Sequence, residues 1–502
     1  MNAIAKIIIF LPLILFFFPA FVFYFPLLKA PYLIYFVTLY LSIILIFIFY
    51  KEKAVSTFFS VMKRTPLKIF ILVLILMSLN AIFLSIFGSA SLAQSIRSII
   101  MQFVLYVLPI LFYYIFVIDK IIPFKKFMNT FMILFWINLL IGFFAYIGQL
   151  LDITVINNIF EFFSNLRMVN TMHNGFDALG DNSIGHNYTA FGLPRLDNLN
   201  EEPGHYAQVL YLFLPFAFGY FGLKSAIHKN NNLSIFIKKT LLPFTFLSLI
   251  LTLSPIFLVF SVFLTIILFF DKILYICRRF FLYFVILFAI ILLALCNIDL
   301  SDTYLSRITN LFTEVHSFDD FIDIEPSLAS RIYCYVNSFC VFLKHPIAGV
   351  GHGNLARVII DQYLQSSLPP VPTVTVATKA VYAVSQTAFL LRAFIYVFLA
   401  ENGIFIFLVL AYFYYKLIKN IDNIQKKYKK NHYIYKYGWM LKGTLIALII
   451  NSFYELNFLY INLYFIIAIS IMYIYEFDVK TYMINKKLIM LSKENFVNRP
   501  KA

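Results

Sequence analysis

"LLPFTFLSLILTLSPIFLVFSVFLTIILFF", Leu241 to Phe270, is an almost unbroken apolar run whose only interruption is Thr252 to Pro255. It exceeds the roughly 20 residues that one helix needs to cross a bilayer core. Read as one long helix, it leaves the following chain on the opposite side. Read as a tight hairpin at "TLSP", it makes two spans and returns the chain to the side it left. Every later loop depends on that choice, and the positive charges decide it. With the hairpin and an inside N-terminus, residues 51–68, 119–126, 224–239, 271–279, 416–442 and 476–502 are cytoplasmic. They hold 5, 3, 4, 3, 8 and 6 Lys/Arg, 29 of the chain's 40. The two long outside loops, 151–205 and 298–385, hold 2 and 5, against 7 and 8 Asp/Glu. Lysine and arginine favour the cytoplasmic side, so the hairpin is the consistent reading.

The rest of the 502 residues agrees with a membrane protein. Hydrophobic residues make up 62% and charged residues 13%, where a soluble domain carries about 25% charged. Mean hydropathy is +0.86. Spans are expected near 4–25, 31–50, 68–87, 98–118, 127–149, 206–223, 240–253, 255–270, 280–297, 386–415, 439–454 and 459–475. The first lacks a small-residue cleavage site and reads as a retained anchor. The expected fold is therefore an all-α polytopic integral membrane protein with about 12 transmembrane helices and two large extracytoplasmic loops. It divides into a five-span bundle (1–150), a first outer loop (151–205), central spans (206–297), a second outer loop (298–385), C-terminal spans (386–475) and a cytoplasmic tail (476–502). Loop bias accounts for the net charge of +16, so no nucleic-acid partner is expected. The four cysteines show neither disulfide nor metal spacing. His173, His186, Asp177 and Asp181 in the first loop lack tight ligand spacing, and no metal is expected there.

Chemistry-bearing residues gather at the outer loops. "FGLPRLDNLNEEPGHYAQVL", Phe191 to Leu210, puts Arg195, Glu202 and His205 directly before a span. In the second loop, "EPSLASRIYCYVNSFCVFLKHP" reads as a helix capped by Ser327. Ile332, Tyr335, Phe339 and Phe342 form an apolar stripe on it, which suits a helix lying in the membrane interface. Arg331 is expected in its first turn, where the helix dipole disfavours a cation and a functional placement gains weight. "GVGHG", Gly349 to Gly353, follows, and its glycines allow close backbone approach or a sharp turn. Arg392 stands inside an apolar run, which favours a cavity or a partner over lipid. Glu401 lies nine residues on.

The pattern Ser330-Arg331, Pro346, Gly349-Val350-Gly351 resembles the O-antigen polymerase and O-antigen ligase superfamily. Arg195 with Glu202-Pro203, and Glu401-x-Gly403-Ile404, are similar to two further elements of that family, and all three occur in its order. The resemblance implies a GT-C-like membrane glycosyltransferase on the periplasmic face of the bacterial inner membrane, with both termini cytoplasmic. It would polymerise undecaprenyl-pyrophosphate-linked repeat units into O-antigen or capsular polysaccharide. Donor and acceptor would both be lipid-linked glycans, no cofactor would be needed, and a chain-length regulator protein is a candidate partner. The implied catalytic residues are Arg195, Arg331, Glu202 and His205. Arg392, His352, Gly349, Gly351 and Glu401 would bind substrate. Many ligases of the superfamily carry a His-Asn pair where this chain reads "VSQTAF", Val384 to Phe389, so polymerase is the better expectation. The alternatives are an O-antigen ligase acting on lipid A core and, from a different class, a polysaccharide-unit flippase or transporter.

Overall fold

A computed structural model describes residues 3–17, 33–88, 90–159, 189–190, 193–194, 196, 203–222, 232–252, 254, 257, 259–270, 317, 320, 326–365, 394–454 and 461–481. Among them the chain is helical apart from one two-residue antiparallel ladder, β1 (Thr189–Ala190) with β2 (Leu193–Pro194). The expected span 280–297 lies outside these residues. The helices are α1 (Ala3–Phe17), α2 (Leu33–Arg64), α3 (Leu67–Phe87), α4 (Leu92–Ile121), α5 (Phe124–Leu150), α6 (Pro203–Phe221) and α7 (Asn232–Leu251). They continue with α8 (Val259–Phe270), α9 (Pro326–Lys344), α10 (Leu355–Leu364), α11 (Phe394–Lys427), α12 (His432–Ser452) and α13 (Ile461–Lys480). Six of these, α2, α3, α4, α5, α11 and α13, are long and apolar enough to cross a membrane. The protein is a helical membrane protein.

Several helices outrun the spans read from hydropathy, because Lys, Glu and Gln extend a helix readily beyond the hydrocarbon. α2 continues to Arg64 through a kink at Tyr50 (φ −137°, ψ 20°), next to the expected membrane boundary. α7 starts at Asn232 rather than residue 240, and α11 runs on to Lys427. The hairpin segment has helices on both sides: α7 ends at Leu251 and α8 begins at Val259.

The core is aromatic. Phe16, Phe131, Phe213 and Phe465 come from four different helices and meet with ring centroids 4.2–6.5 Å apart. At one end of the bundle three of the expected cytoplasmic segments meet. Asp119 accepts a hydrogen bond from Thr57 (3.2 Å) and faces Lys120 (2.8 Å) and Lys480 (3.5 Å). α4 and α13 are both π-helical here, at Val117–Ile121 and Tyr475–Lys480.

Candidate functional site

The segment that follows α9 docks into a break in α11. At Gly403 the helix turns to φ 72°, ψ 178°, so the carbonyls before the break lose their helical donors. Inside a membrane protein each such carbonyl costs several kcal/mol unless it is paired. The loop after α9 pairs them. Val350 N–H donates to the Ala400 carbonyl and Gly351 N–H to the Glu401 carbonyl, both at 2.9 Å. In return Ile404 N–H, which would have bonded Ala400 in an unbroken helix, donates to the Pro346 carbonyl at 2.9 Å. The backbones approach so closely that glycine is required on both sides. A Cβ on Gly349 (φ 69°) would lie 2.4 Å from Glu401 backbone atoms, and one on Gly403 would lie 2.1 Å from the Ile347 carbonyl oxygen.

Side chains complete this clasp. His352 is fully buried, and its Nδ1 stands 2.9 Å from Glu401 Oε2. The Phe103 ring packs on the imidazole with centroids 5.6 Å apart. Asn80 donates from Nδ2 to the Ala348 carbonyl (2.7 Å). Asn354 accepts from Ser91 N–H (3.0 Å) and donates to Ser95 Oγ (2.7 Å), which ties the loop to the first turns of α4. Gly349, Gly351, His352 and Glu401, expected as four substrate contacts in two separate motifs, are thus one interlocked unit. Asn80, Ser95 and Asn354 were not expected. A lone asparagine in the apolar stretch "LMSLNAIFL" was the available signal, since a polar residue in a span usually faces protein.

α9 forms as expected but begins at Pro326, one residue before the anticipated cap. Arg331 therefore falls in the second turn, not the first, and the dipole argument for it weakens. The predicted stripe of Ile332, Tyr335, Phe339 and Phe342 is the less buried side. Ala329, Tyr333, Cys334, Asn337, Ser338 and Val341 face inward instead. The guanidinium of Arg331 lies over the Tyr454 ring, Cζ 5.1 Å from its centroid. Tyr335 O–H donates to the Tyr454 carbonyl, which fixes α9 to the end of α12. Phe257 and Phe260 pack edge-on against the same Tyr454 ring at 6.0 and 5.5 Å. Arg331 thus rests on an aromatic seat.

Arg195, Glu202 and Arg392 lie outside the described residues. His205 occupies the first turn of α6, and its side chain lies outside them as well. The neighbours of Arg195 are placed: Pro194 pairs in the short ladder, and buried Leu196 donates its N–H to the Leu251 carbonyl at the end of α7 (2.9 Å). No protein-family model matches the chain, and no curated protein matches it.

Proposed function

We propose that this chain is a twelve-span glycan polymerase of the bacterial inner membrane. It joins undecaprenyl-pyrophosphate-linked repeat units into O-antigen or capsular polysaccharide on the periplasmic face, with both termini in the cytoplasm. The observation that carries this reading is the clasp. Two motifs that resemble elements of one enzyme superfamily, far apart in sequence, are locked together, with Arg331 on the helix that leads into them.

In this reading an acceptor hydroxyl oxygen attacks the anomeric carbon of the donor sugar. The bond from that carbon to the pyrophosphate oxygen breaks, and its electron pair stays on the pyrophosphate. Arg331, with Arg195 and Arg392, stabilises the leaving charge, since guanidinium forks match phosphate oxygens. One such cation about 4 Å from a unit charge contributes roughly 4 kcal/mol at an effective dielectric near 20, before desolvation. Glu202 or His205, at the head of α6, takes the hydroxyl proton. His352 and Glu401 are buried, so they serve by holding the outer loop on α11 rather than by touching sugar.

The test is the surface glycan ladder on a gel, from cells deleted for the gene and complemented with wild type or Arg331→Ala. The expected result is a ladder collapsed to single repeats that wild type restores and Arg331→Ala does not, with the variant still present in the membrane. Full chains left on the lipid carrier would favour a ligase, and an unchanged ladder in the deletion would end the glycan reading.

A further inference from the structure

Three contacts set how α6 and α12 pass each other. A Cβ on Gly219 would meet Met440, one on Gly222 would meet Lys436, and one on Gly443 would meet Pro215. The helices run antiparallel, and each step back along α6 matches one step forward along α12. Continued along both helices, this register sets Gln208 opposite Asn451. Gln208 also falls on the α6 stripe of Pro215, Gly219 and Gly222, two, three and four turns away. Both amide side chains are fully buried, and neither the oxygen nor the nitrogen of either has a hydrogen-bond partner among the described residues. The same holds for buried Tyr211 Oη, one turn along α6, and for Ser261 Oγ on α8. Phe269 packs on Phe218 (5.1 Å) and Trp439 (5.4 Å), which brings Ser261 to the level of the two amides. Tyr211 in turn packs on Phe257 and Phe260, each at 6.0 Å.

Six unpartnered polar atoms on three helices, with no charge among them, form a costly arrangement in an apolar phase unless something pairs them. The cluster lies just inward of Arg331. Tyr454, whose ring carries that guanidinium, donates its N–H to the Asn451 carbonyl at 3.0 Å. Two amide N–H₂ groups and two hydroxyls can all donate, and a phosphoryl group presents oxygens that only accept. Neutral donors satisfy such oxygens without adding charge beneath the cation.

We propose that Gln208, Tyr211, Ser261 and Asn451 form the seat for the membrane-side phosphoryl group of a lipid-linked pyrophosphate, while Arg331 takes the outer one. This rests on the reading above that the substrate is a lipid pyrophosphate. The four side chains are closed off here, so the ligand enters when the outer ends of the helices part. Pro215 has no N–H for the Tyr211 carbonyl, which places the weakest point of α6 directly below the cluster.

The full-length protein in phospholipid nanodiscs tests this by native mass spectrometry, with undecaprenyl phosphate and undecaprenyl pyrophosphate as competing probes. Wild type is expected to prefer the pyrophosphate by about tenfold, the scale of one good charge-assisted hydrogen bond. Gln208→Met with Asn451→Leu is expected to weaken binding of both lipids about tenfold, because both carry the membrane-side phosphoryl, with the pyrophosphate preference that Arg331 sets retained and the melting temperature unchanged or higher. Gln208→Met alone, which keeps side-chain volume, is expected to weaken binding of both lipids about threefold and guards against a double variant that fails to assemble. Binding of both lipids at wild-type strength in both variants overturns the proposal, as does a lowered melting temperature with lipid binding intact, the signature of amides that merely join helices. Wild type binding both lipids equally removes this site and leaves the polymerase reading standing. Wild type binding neither above bulk phospholipid removes both.

Discussion

Two regions of this protein handle buried polar groups in different ways. In the clasp, the groups exposed by the break in α11 are answered from the loop: Ala400 by Val350, Glu401 by Gly351, and the N–H of Ile404 by Pro346. Where α6 packs on α12, Gln208 and Asn451 bury both ends of each amide with no partner among the described residues. In the first arrangement the backbone groups at the break are paired, which is how a fold holds a loop in place. The second is unfinished, which is how a fold holds room for something else. Satisfied polar groups hold architecture together, and each unsatisfied one calls for a physical explanation.

The clasp breaks most severely at its glycines. Gly403→Ala puts a methyl 2.1 Å from the Ile347 carbonyl oxygen at a φ of 72°. Backbone lies on both sides, so no side chain can yield. A loss of roughly 4 kcal/mol or more is expected, seen as little folded protein in membranes and a collapsed thermal transition in detergent. Gly349→Ala acts the same way from the loop side. A Gly403→Ala protein that melts like wild type would show that the two backbones do not interlock.

Next comes the buried pair. Glu401→Ala leaves His352 without the carboxylate 2.9 Å from its Nδ1, and a cost of about 3 kcal/mol is expected. Replacing both, as His352→Phe with Glu401→Leu, removes the mismatch along with the pair. The double variant should be more stable than Glu401→Ala, with a coupling of about 1 kcal/mol or more in a double-mutant cycle. Strict additivity would mean that the two side chains do not act on each other.

The clasp also shows which features can be read along a chain. Membrane class followed from composition, and "GVGHG" and "ENGI" were visible as motifs. Their meeting was not visible, because a glycine signals only that space is needed and not whose backbone fills it. Gly349 is explained by Glu401, and Gly403 by Ile347, each on the other segment. α9 was legible as a helix, but its inward face was misassigned. Its apolar stripe lies on the less buried side, while Ser338 and Asn337, the latter donating to the Tyr333 carbonyl and accepting from Gln362, are buried. Polarity patterning reports the core side when water is the other option. In a membrane both sides of a helix can be apolar, and the rule loses its sign. Gln208 stood in plain view within "HYAQVLYLF", yet only the packing of α6 on α12 shows that Asn451 faces it.

A milder substitution of the clasp sharpens the comparison. Asn80→Leu leaves the Ala348 carbonyl without its 2.7 Å donor. A cost of about 2 kcal/mol is expected in a thermal or denaturant melt, the penalty for orphaning one buried acceptor. Arg331→Ala should cost about 1 kcal/mol for its cation–π contact with Tyr454. Its effect belongs in the glycan ladder rather than the melt.

The smallest expected effect is the most telling. Gln208 is a buried amide and Asn80 a half-buried one, each among apolar residues of a helix. If paired and unpaired groups differ as argued, Gln208→Met should fall within about 0.5 kcal/mol of wild type or stabilise it, because an unpartnered amide gives way to an apolar chain of similar volume. The same melt that shows Asn80→Leu to be damaged should show Gln208→Met to be unharmed. A loss near 2 kcal/mol for Gln208→Met would place that amide with the clasp residues, as a contact between helices. Neutral or higher stability would mean that the fold carries Gln208 at a cost to itself, and that its use lies outside the fold.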